Sequence, residues 1–285
     1  MLCFFASDLH GQTARYESLW RAVEQSPPDA VFLGGDLLPS GLGMASMRPD
    51  HRDFVNNFLA SGFERLRQRL GTRYPEVFLI FGNDDCRFEE AAVLDVATGG
   101  LWHYAHNRSY SLGNCRVFGY AYVPPTPFGL KDWERYDVSR HVPPGCVSPE
   151  DGWRSVPVSE NEIRYSTIQR DLETLTGDAN LDNSLFLFHS PPDETALDRA
   201  ANDGKAVDHV PLDLHVGSVA IRRFIERRQP LLAMHGHIHE SARLTGSWRD
   251  RIGRTHLFGG AHDGPELALV RFRPENLDTA TRELL

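Results

Sequence analysis

The stretch Met234-His235-Gly236-His237-Ile238-His239-Glu240 follows the apolar run Pro230-Leu231-Leu232-Ala233, and its reading decides the fold. A short apolar run of this kind fits a strand buried on both faces, and a glycine at its end permits a sharp turn. Alternate residues of an extended chain point the same way, so His237 and His239 can converge on one object. Imidazole is the commonest metal-ligating side chain at neutral pH. A lone H-x-H is more often a surface coincidence or a hydrogen-bonded pair, so its meaning rests on the company it keeps.

That company lies upstream. Leu2 to Ala6 is an apolar run that ends in Ser7-Asp8-Leu9-His10-Gly11. Ala30-Val31-Phe32-Leu33 closes on Gly34-Gly35-Asp36, and Val77 to Phe81 closes on Gly82-Asn83-Asp84-Asp85. Ser184 to Phe188 delivers His189-Ser190-Pro191-Pro192. Gly-Asp or Gly-Asn after a strand usually makes an ordinary turn. Repeated in this way, and followed by H-x-H, the units follow another logic: each strand carries a polar side chain to its carboxyl end, the edge where open α/β sheets bind ligands.

Between the strands, helical periodicity is expected from Thr13, a cap for a helix through Tyr16, Leu19, Trp20 and Val23. It recurs through Phe54, Phe58, Phe63, Leu66 and Leu70, and near Phe88–Val96. Ser159 with Glu162 forms a capping box for one helix running through Ile163, Ile168, Leu172 and Leu175 to Gly177. Ser218 caps a helix with Ile221, Phe224 and Ile225 inward. Segments near Leu101–His103, Tyr110–Leu112, Arg116–Tyr120, Ala242–Thr245, Arg254–Phe258 and Glu266–Phe272 are expected to complete the sheet structure. Residues 1–273 form one domain, and 274–285 form a frayed C-terminal tail.

Two irregular stretches stand out. Pro39 to Pro49 is rich in Gly, Ser and Met and reads as a loop near the site. Residues 120–157 are rich in Pro, Gly, Trp and charge, and ordered loops of this length are uncommon unless functional. Two readings stay open: a lid whose Lys131 and Arg135 contact substrate, or a surface excursion packed on its own aromatics.

Composition sets the outer limits. The chain has 285 residues, 41% hydrophobic and 24% charged, enough for a full core in an ordinary globular protein. A formal charge of −9 argues against non-specific nucleic-acid binding, which needs a basic surface. Four cysteines without C-x-x-C spacing read as reduced thiols, and no run approaches membrane-spanning length. The N-terminus lacks a basic n-region, so a cytoplasmic protein is expected.

The strand-end residues are Asp8, His10, Asp36, Asn83, His189, His237 and His239. Mixed nitrogen and oxygen donors suit Mn, Fe, Zn, Co or Ni, and the absence of cysteine argues against a structural zinc site. Seven donors exceed the needs of one ion. They suit two ions sharing a carboxylate, with positions left for water and substrate. An acidic protein that handles phosphate also needs such local positive charge.

The series Asp8-x-His10, Gly35-Asp36, Gly82-Asn83-x-Asp85, His189 and Gly236-His237-x-His239 resembles the calcineurin-like metallophosphoesterases, block for block and in order. Within that family, His189-Ser190-Pro191-Pro192, His215-Val216-Gly217-Ser218 and Gly236-His237-Ile238-His239-Glu240-Ser241 are most similar to the Icc-like branch. The resemblance implies a four-layer α/β/β/α sandwich of two mixed sheets flanked by helices. It implies two divalent metals, manganese favoured. One would be held by Asp8, His10, Asp36 and His239, the other by Asp36, Asn83, His189 and His237. It further implies hydrolysis of a small phosphoester by in-line attack of a metal-bridging hydroxide.

One departure is informative. The commonest form of the third block has His after Asn, facing the substrate, whereas this chain has Asp84. An aspartate beside divalent cations is ionised, a poor acid that repels a phosphate dianion. A phosphodiester carries one charge fewer, so a phosphodiesterase is expected. The alternatives are a phosphomonoesterase or nucleotidase, and a metal-binding scaffold without turnover. Asp36, Asn83, Asp84, Asp85 and His10 are the candidate catalytic residues, with Asp85 expected to orient its neighbours. Asn83, Lys131 and Arg135 are the candidate substrate contacts. Leaving-group protonation has no clear owner, and His10 is a candidate only if its metal role leaves it free.

Overall fold

The computed structural model describes residues 1–40 and 53–285. The loop expected from Pro39 to Pro49 therefore lies, beyond Ser40, outside the described residues. The first sheet contains β1 (Cys3–Ala6), β2 (Ala30–Gly34), β3 (Glu76–Ile80), β4 (His103–Tyr104), β13 (Ala268–Phe272) and β14 (Thr281–Leu284). Its order is β14-β13-β1-β2-β3-β4, parallel from β1 to β4 and antiparallel at β13 and β14. The second sheet contains β5 (Arg108–Leu112), β6 (Cys115–Tyr120), β7 (Ser184–Phe188), β10 (Leu232–His235), β11 (Arg249–Ile252) and β12 (Thr255–Gly259). Its order is β11-β12-β10-β7-β6-β5, with a parallel centre and antiparallel edges. A small hairpin of β8 (Ala206–Val207) and β9 (Val210–Pro211) stands apart.

The central strands are buried along their whole length, which is why they read as unbroken apolar runs rather than alternating ones. Between the sheets, Phe258 of the second meets Phe272 of the first at 5.7 Å between ring centroids. On the outer faces lie the helices. Phe224 of α6 (Val219–Arg228) packs edge-on to Phe186 of β7 at 5.2 Å. Tyr16 and Trp20 of α1 (Thr13–Gln25) pack against Phe58, and Trp20 reaches Phe63 of α2 (Ser61–Leu70). α3 (Glu90–Thr98) follows the third strand. The result is the expected sandwich of two mixed sheets flanked by helices, with the carboxyl ends of β1, β2, β3, β7 and β10 gathered along one edge.

Several local expectations need correction. The segment from Ser159 to Gly177 is two helices, α4 (Glu160–Tyr165) and α5 (Ile168–Thr176), because Thr167 takes an extended conformation and caps the second one anew. Thr13 lies inside α1, whose capping position is Gln12. Ala242–Thr245 is not a strand but part of a short helix, α7 (Ser241–Thr245). The tail beyond Pro274 is not frayed: Thr281–Leu284 pairs along β13, taking up hydrogen-bonding groups that would otherwise form a bare edge. No helix among the described residues is long and apolar enough to cross a membrane.

The 120–157 segment turns its expected substrate-binding groups inward. Trp133 is fully buried against Phe81 at 5.7 Å. Lys131 is fully buried too, with Nζ 2.5 Å from Glu134 and 3.0 Å from the Thr126 carbonyl. Burial pushes the Glu134 carboxyl up to about 7 even with that ammonium beside it. Arg135 donates to both Asp171 oxygens and to Glu162, and its guanidinium lies 4.0 Å over the Tyr122 ring. Neither cation is available to a substrate, which corrects the expectation for Lys131 and Arg135. Removing one partner of a buried pair strands the other. Lys131→Met is accordingly expected to lower unfolding free energy by about 3 kcal/mol in urea titrations, while KM for any turned-over ester stays within about twofold, too small a change to register in binding energy.

Candidate metal centre

Five strand ends from two sheets meet here, and backbone hydrogen bonds lock the turns together. The N–H of Asp8 donates to the Gly35 carbonyl at 2.9 Å, and that of His10 to the Asp36 carbonyl at 2.8 Å. Across the sandwich, the N–H of His237 donates to Asp8 Oδ1 at 3.0 Å, and within the second sheet that of Gly236 donates to the His189 carbonyl at 2.9 Å. Asp8, His10, Asp36 and His237 all have positive φ, between 48° and 74°. Side-chain-bearing residues enter that region at a cost of roughly 1–3 kcal/mol each and persist there only where the surroundings over-determine them. What the strain gives is direction: each turn swings its side chain back over the strand end.

The side chains form two groups that share one carboxylate. Donor atoms of Asp8, His10, Asp36 and His239 lie within 4.8 Å of one another, as do those of Asp36, His189 and His237. His10 Nε2 sits 3.1 Å from His239 Nε2, and His239 Nε2 sits 3.2 Å from Asp8 Oδ1. Asp36 Oδ2 faces both groups, 3.9 Å from His10 Nε2 and 3.3 Å from His189 Nε2. Asn83 Oδ1 completes the second group at 3.1 Å from His189 Nε2.

Whether this set fits metal ions is decided by the lone pairs. His189 Nδ1 donates to the Gly34 carbonyl at 2.8 Å, so in the neutral ring Nε2 is an acceptor. It points at Asn83 Oδ1 and Asp36 Oδ2, which are acceptors as well. In that form three acceptors share one place, which a metal ion among them would satisfy; without one, a proton on Nε2 serves the same acceptors. Burial disfavours a charged His189, yet the Asp36 and Asp8 carboxylates override it and lift the ring to about 9. Burial likewise disfavours the Asp36 anion, but the His189 and His10 imidazoles hold it down at about 2. Asp8 is fully buried, which also works against its anion, but the hydrogen bond from His239 holds it well below the usual carboxylate range. Burial, with His189 beside it, lowers His237 to about 3, leaving it in the neutral form that ligates metals. The donor set fits divalent cations held by nitrogen and oxygen.

Around these groups the packing leaves no slack. A Cβ added at Gly82 would collide with Asp36 Oδ1 and stand 2.5 Å from His189 Nε2. At Gly236 it would stand 2.5 Å from Asp8 Oδ2. Asp85 is fully buried and accepts N–H bonds from Leu37, Leu38 and Gly82, so it fixes the second and third turns against each other. Burial raises it to about 7, with Asp36 adding to the effect and those three N–H donors opposing it. Asp84 behaves differently. Its N–H donates to Asp36 Oδ1 at 2.8 Å, while its side chain is 41% exposed with Oδ2 3.4 Å from His10 Nδ1. Sequence reasoning missed Arg15, which is buried and donates to the carbonyls of Asp8 and Gly264, clamping the first turn. On a helix it read as an ordinary polar residue, and nothing local marks it otherwise.

A family model described as calcineurin-like phosphoesterase matches residues 1–241. The chain belongs to that family. Its fold agrees with solved structures at low identity. One crystal structure, covering 99% of this chain and 98% of its own, aligns at TM-score 0.61 and 14% identity. A protein from Thermus thermophilus aligns at 0.55 and 14%, over 99% and 98%. A structure described as a dimetal phosphatase from Danio rerio aligns at 0.51 and 13%, over 95% and 91%. No curated protein matches significantly.

The family uses divalent metals, and the glycine packing gives this centre a direct test. Gly82→Ala is expected to weaken Mn²⁺ binding, measured by titration calorimetry, by at least about tenfold, the size of effect seen when groups that orient ligands are disturbed. The far-UV circular dichroism spectrum should remain that of the wild type.

Proposed function

We propose that the chain is a dinuclear phosphodiesterase acting on a small phosphodiester. Asp8, His10, Asp36 and His239 hold one divalent ion; Asp36, Asn83, His189 and His237 hold the other, with Asp36 shared and manganese the favoured metal. Bound there, the ions supply Lewis acidity, activating water near neutral pH and offsetting charge on phosphate oxygens. The chain's own residues hold and orient: Asp85 and Arg15 lock the turns, and Asn83 stands where it can reach both metal and substrate. Membership of the family supports phosphoester hydrolysis in general.

The diester preference rests on Asp84. Its carboxylate is 41% exposed and 3.4 Å from His10 Nδ1, so it sets a negative charge beside any ester bound at the cluster. Like charges at close range oppose binding, and a dianionic monoester suffers more than a monoanionic diester. A monoesterase would place a proton donor or a cation at this position. The test is turnover of bis(p-nitrophenyl) phosphate and p-nitrophenyl phosphate with Mn²⁺. Wild type should favour the diester. Asp84→His should raise the monoester-to-diester ratio of kcat/KM by about tenfold, or about 1.4 kcal/mol. An unchanged ratio removes the argument for a diesterase, and turnover of neither ester across a metal panel would favour a non-catalytic metal-binding scaffold.

A further inference from the structure

Among the described residues of the cluster, no side chain is left unengaged as a proton donor for the leaving oxygen. His10 and His239 face each other and the carboxylates, and Asp84 stands where a donor would be needed. Outside the cluster, one histidine has the geometry of such a donor. His215 Nδ1 lies 2.8 Å from Oδ1 of Asp198, a carboxylate with no solvent exposure. Asp198 also accepts the N–H groups of Glu194 at 3.0 Å, Thr195 at 2.9 Å and Gly217 at 3.1 Å, so its orientation is fixed. A carboxylate that accepts from Nδ1 sets the ring's tautomer and leaves Nε2 facing outward. The His215 side chain is 38% exposed, and its Nε2 has no partner among the described residues.

No other described histidine combines these features. His103, His256 and His262 have Nε2 engaged by Glu76, Arg251 and Glu266 respectively. His106 and His235 are buried, and His141 and His209 are exposed without a carboxylate beside them.

The pair is tied to both halves of the metal centre. Its segment leaves the second sheet at His189 and comes back alongside its own start at Ser218, whose N–H donates to the Pro191 carbonyl at 2.8 Å. Arg199 and His215 face each other in an antiparallel bridge, and the Val216 N–H donates to the Asp198 carbonyl at 3.1 Å. From the other side Glu240, which directly follows His239, accepts the Ala201 N–H at 2.9 Å. The two loop segments carrying Asp198 and His215 are thus pinned between the blocks that supply His189 and His239.

We propose that His215, oriented by Asp198, protonates the leaving group. The idea rests on the phosphodiesterase reading above. In the step, a water oxygen bonds to phosphorus and loses its proton to solvent. The bond from phosphorus to the leaving oxygen breaks, and the electron pair stays on that oxygen. His215 Nε2–H supplies the proton that makes it a neutral alcohol. The imidazole is left neutral, Nδ1–H still on Asp198, and takes up a proton from solvent before the next cycle.

A positioned general acid matters most where the leaving group is a poor one, and contributes on the order of 10²-fold or more there. The experiment compares methyl p-nitrophenyl phosphate, whose leaving oxygen needs no proton, with methyl benzyl phosphate, whose leaving oxygen does. Wild type, H215Q and D198N are assayed, and each variant's benzyl-to-nitrophenyl rate ratio is taken within one sample, so partial misfolding cancels. The ratio should fall on the order of 10²-fold in H215Q and in the same direction in D198N, with bound Mn²⁺ per chain, by elemental analysis, unchanged. If both esters slow by the same factor, the pair only staples the loop and the proposal is overturned. Loss of bound metal in H215Q overturns it too, since the residue would then support the centre itself. If wild type hydrolyses neither ester, the phosphodiesterase reading fails first and the donor role falls with it.

Discussion

Two carboxylates, Asp8 and Asp36, are buried side by side where the two sheets meet, and the rest of the molecule is arranged to make that tolerable. An isolated buried carboxylate is strongly unfavourable, and two together repel. The chain answers with positive charge and donors from every side: imidazoles from both sheets, the N–H of His237 on Asp8 and the N–H of Asp84 on Asp36. Between these groups lie two donor clusters sharing Asp36, of a make-up that suits divalent cations. The centre is therefore also part of what holds the two sheets in register.

The geometry explains why the ligands come from turns with left-handed backbone. A parallel strand buried on both faces has no free side on which to display a polar group. The first useful position is just past its end, and only a sharp reversal aims that side chain back over the edge. Asp8, His10, Asp36 and His237 all accept this strain, and Asp85, Arg15 and the tight contacts at Gly82 and Gly236 hold them to it. The strain at the site is offset by the aromatic layers on either face of the sheets.

The long insertions of the second sheet add a rim to this edge. The 120–157 segment packs its cations against its own carboxylates and those of the helices that follow, so its polarity serves folding. The segment from Pro191 to Ser218 instead leaves a histidine outward and anchors the carboxylate behind it. The two segments part company through burial: a charge turned inward must find a partner, and one turned outward is left for chemistry.

The sequence by itself determined the fold class and the make-up of the site, because both are written in short local patterns. Short unbroken apolar runs bounded by glycine fit strands buried on both faces, and the polar residue after each then lies at the sheet edge. Helix caps at Ser159 and Ser218 were legible for the same reason, since a cap is a contact across three residues. Where the balance was close, local reading failed: Thr167 broke one helix into two, and the last strand gained its order from pairing with β13. The tertiary structure alone decided that Lys131 and Arg135 are engaged by Glu134, Asp171 and Glu162, and that Arg15 and Asp198 matter at all. Those facts depend on contacts between residues far apart in the chain, and a side chain's partner across such a distance is fixed by how the elements pack rather than by its neighbours in sequence.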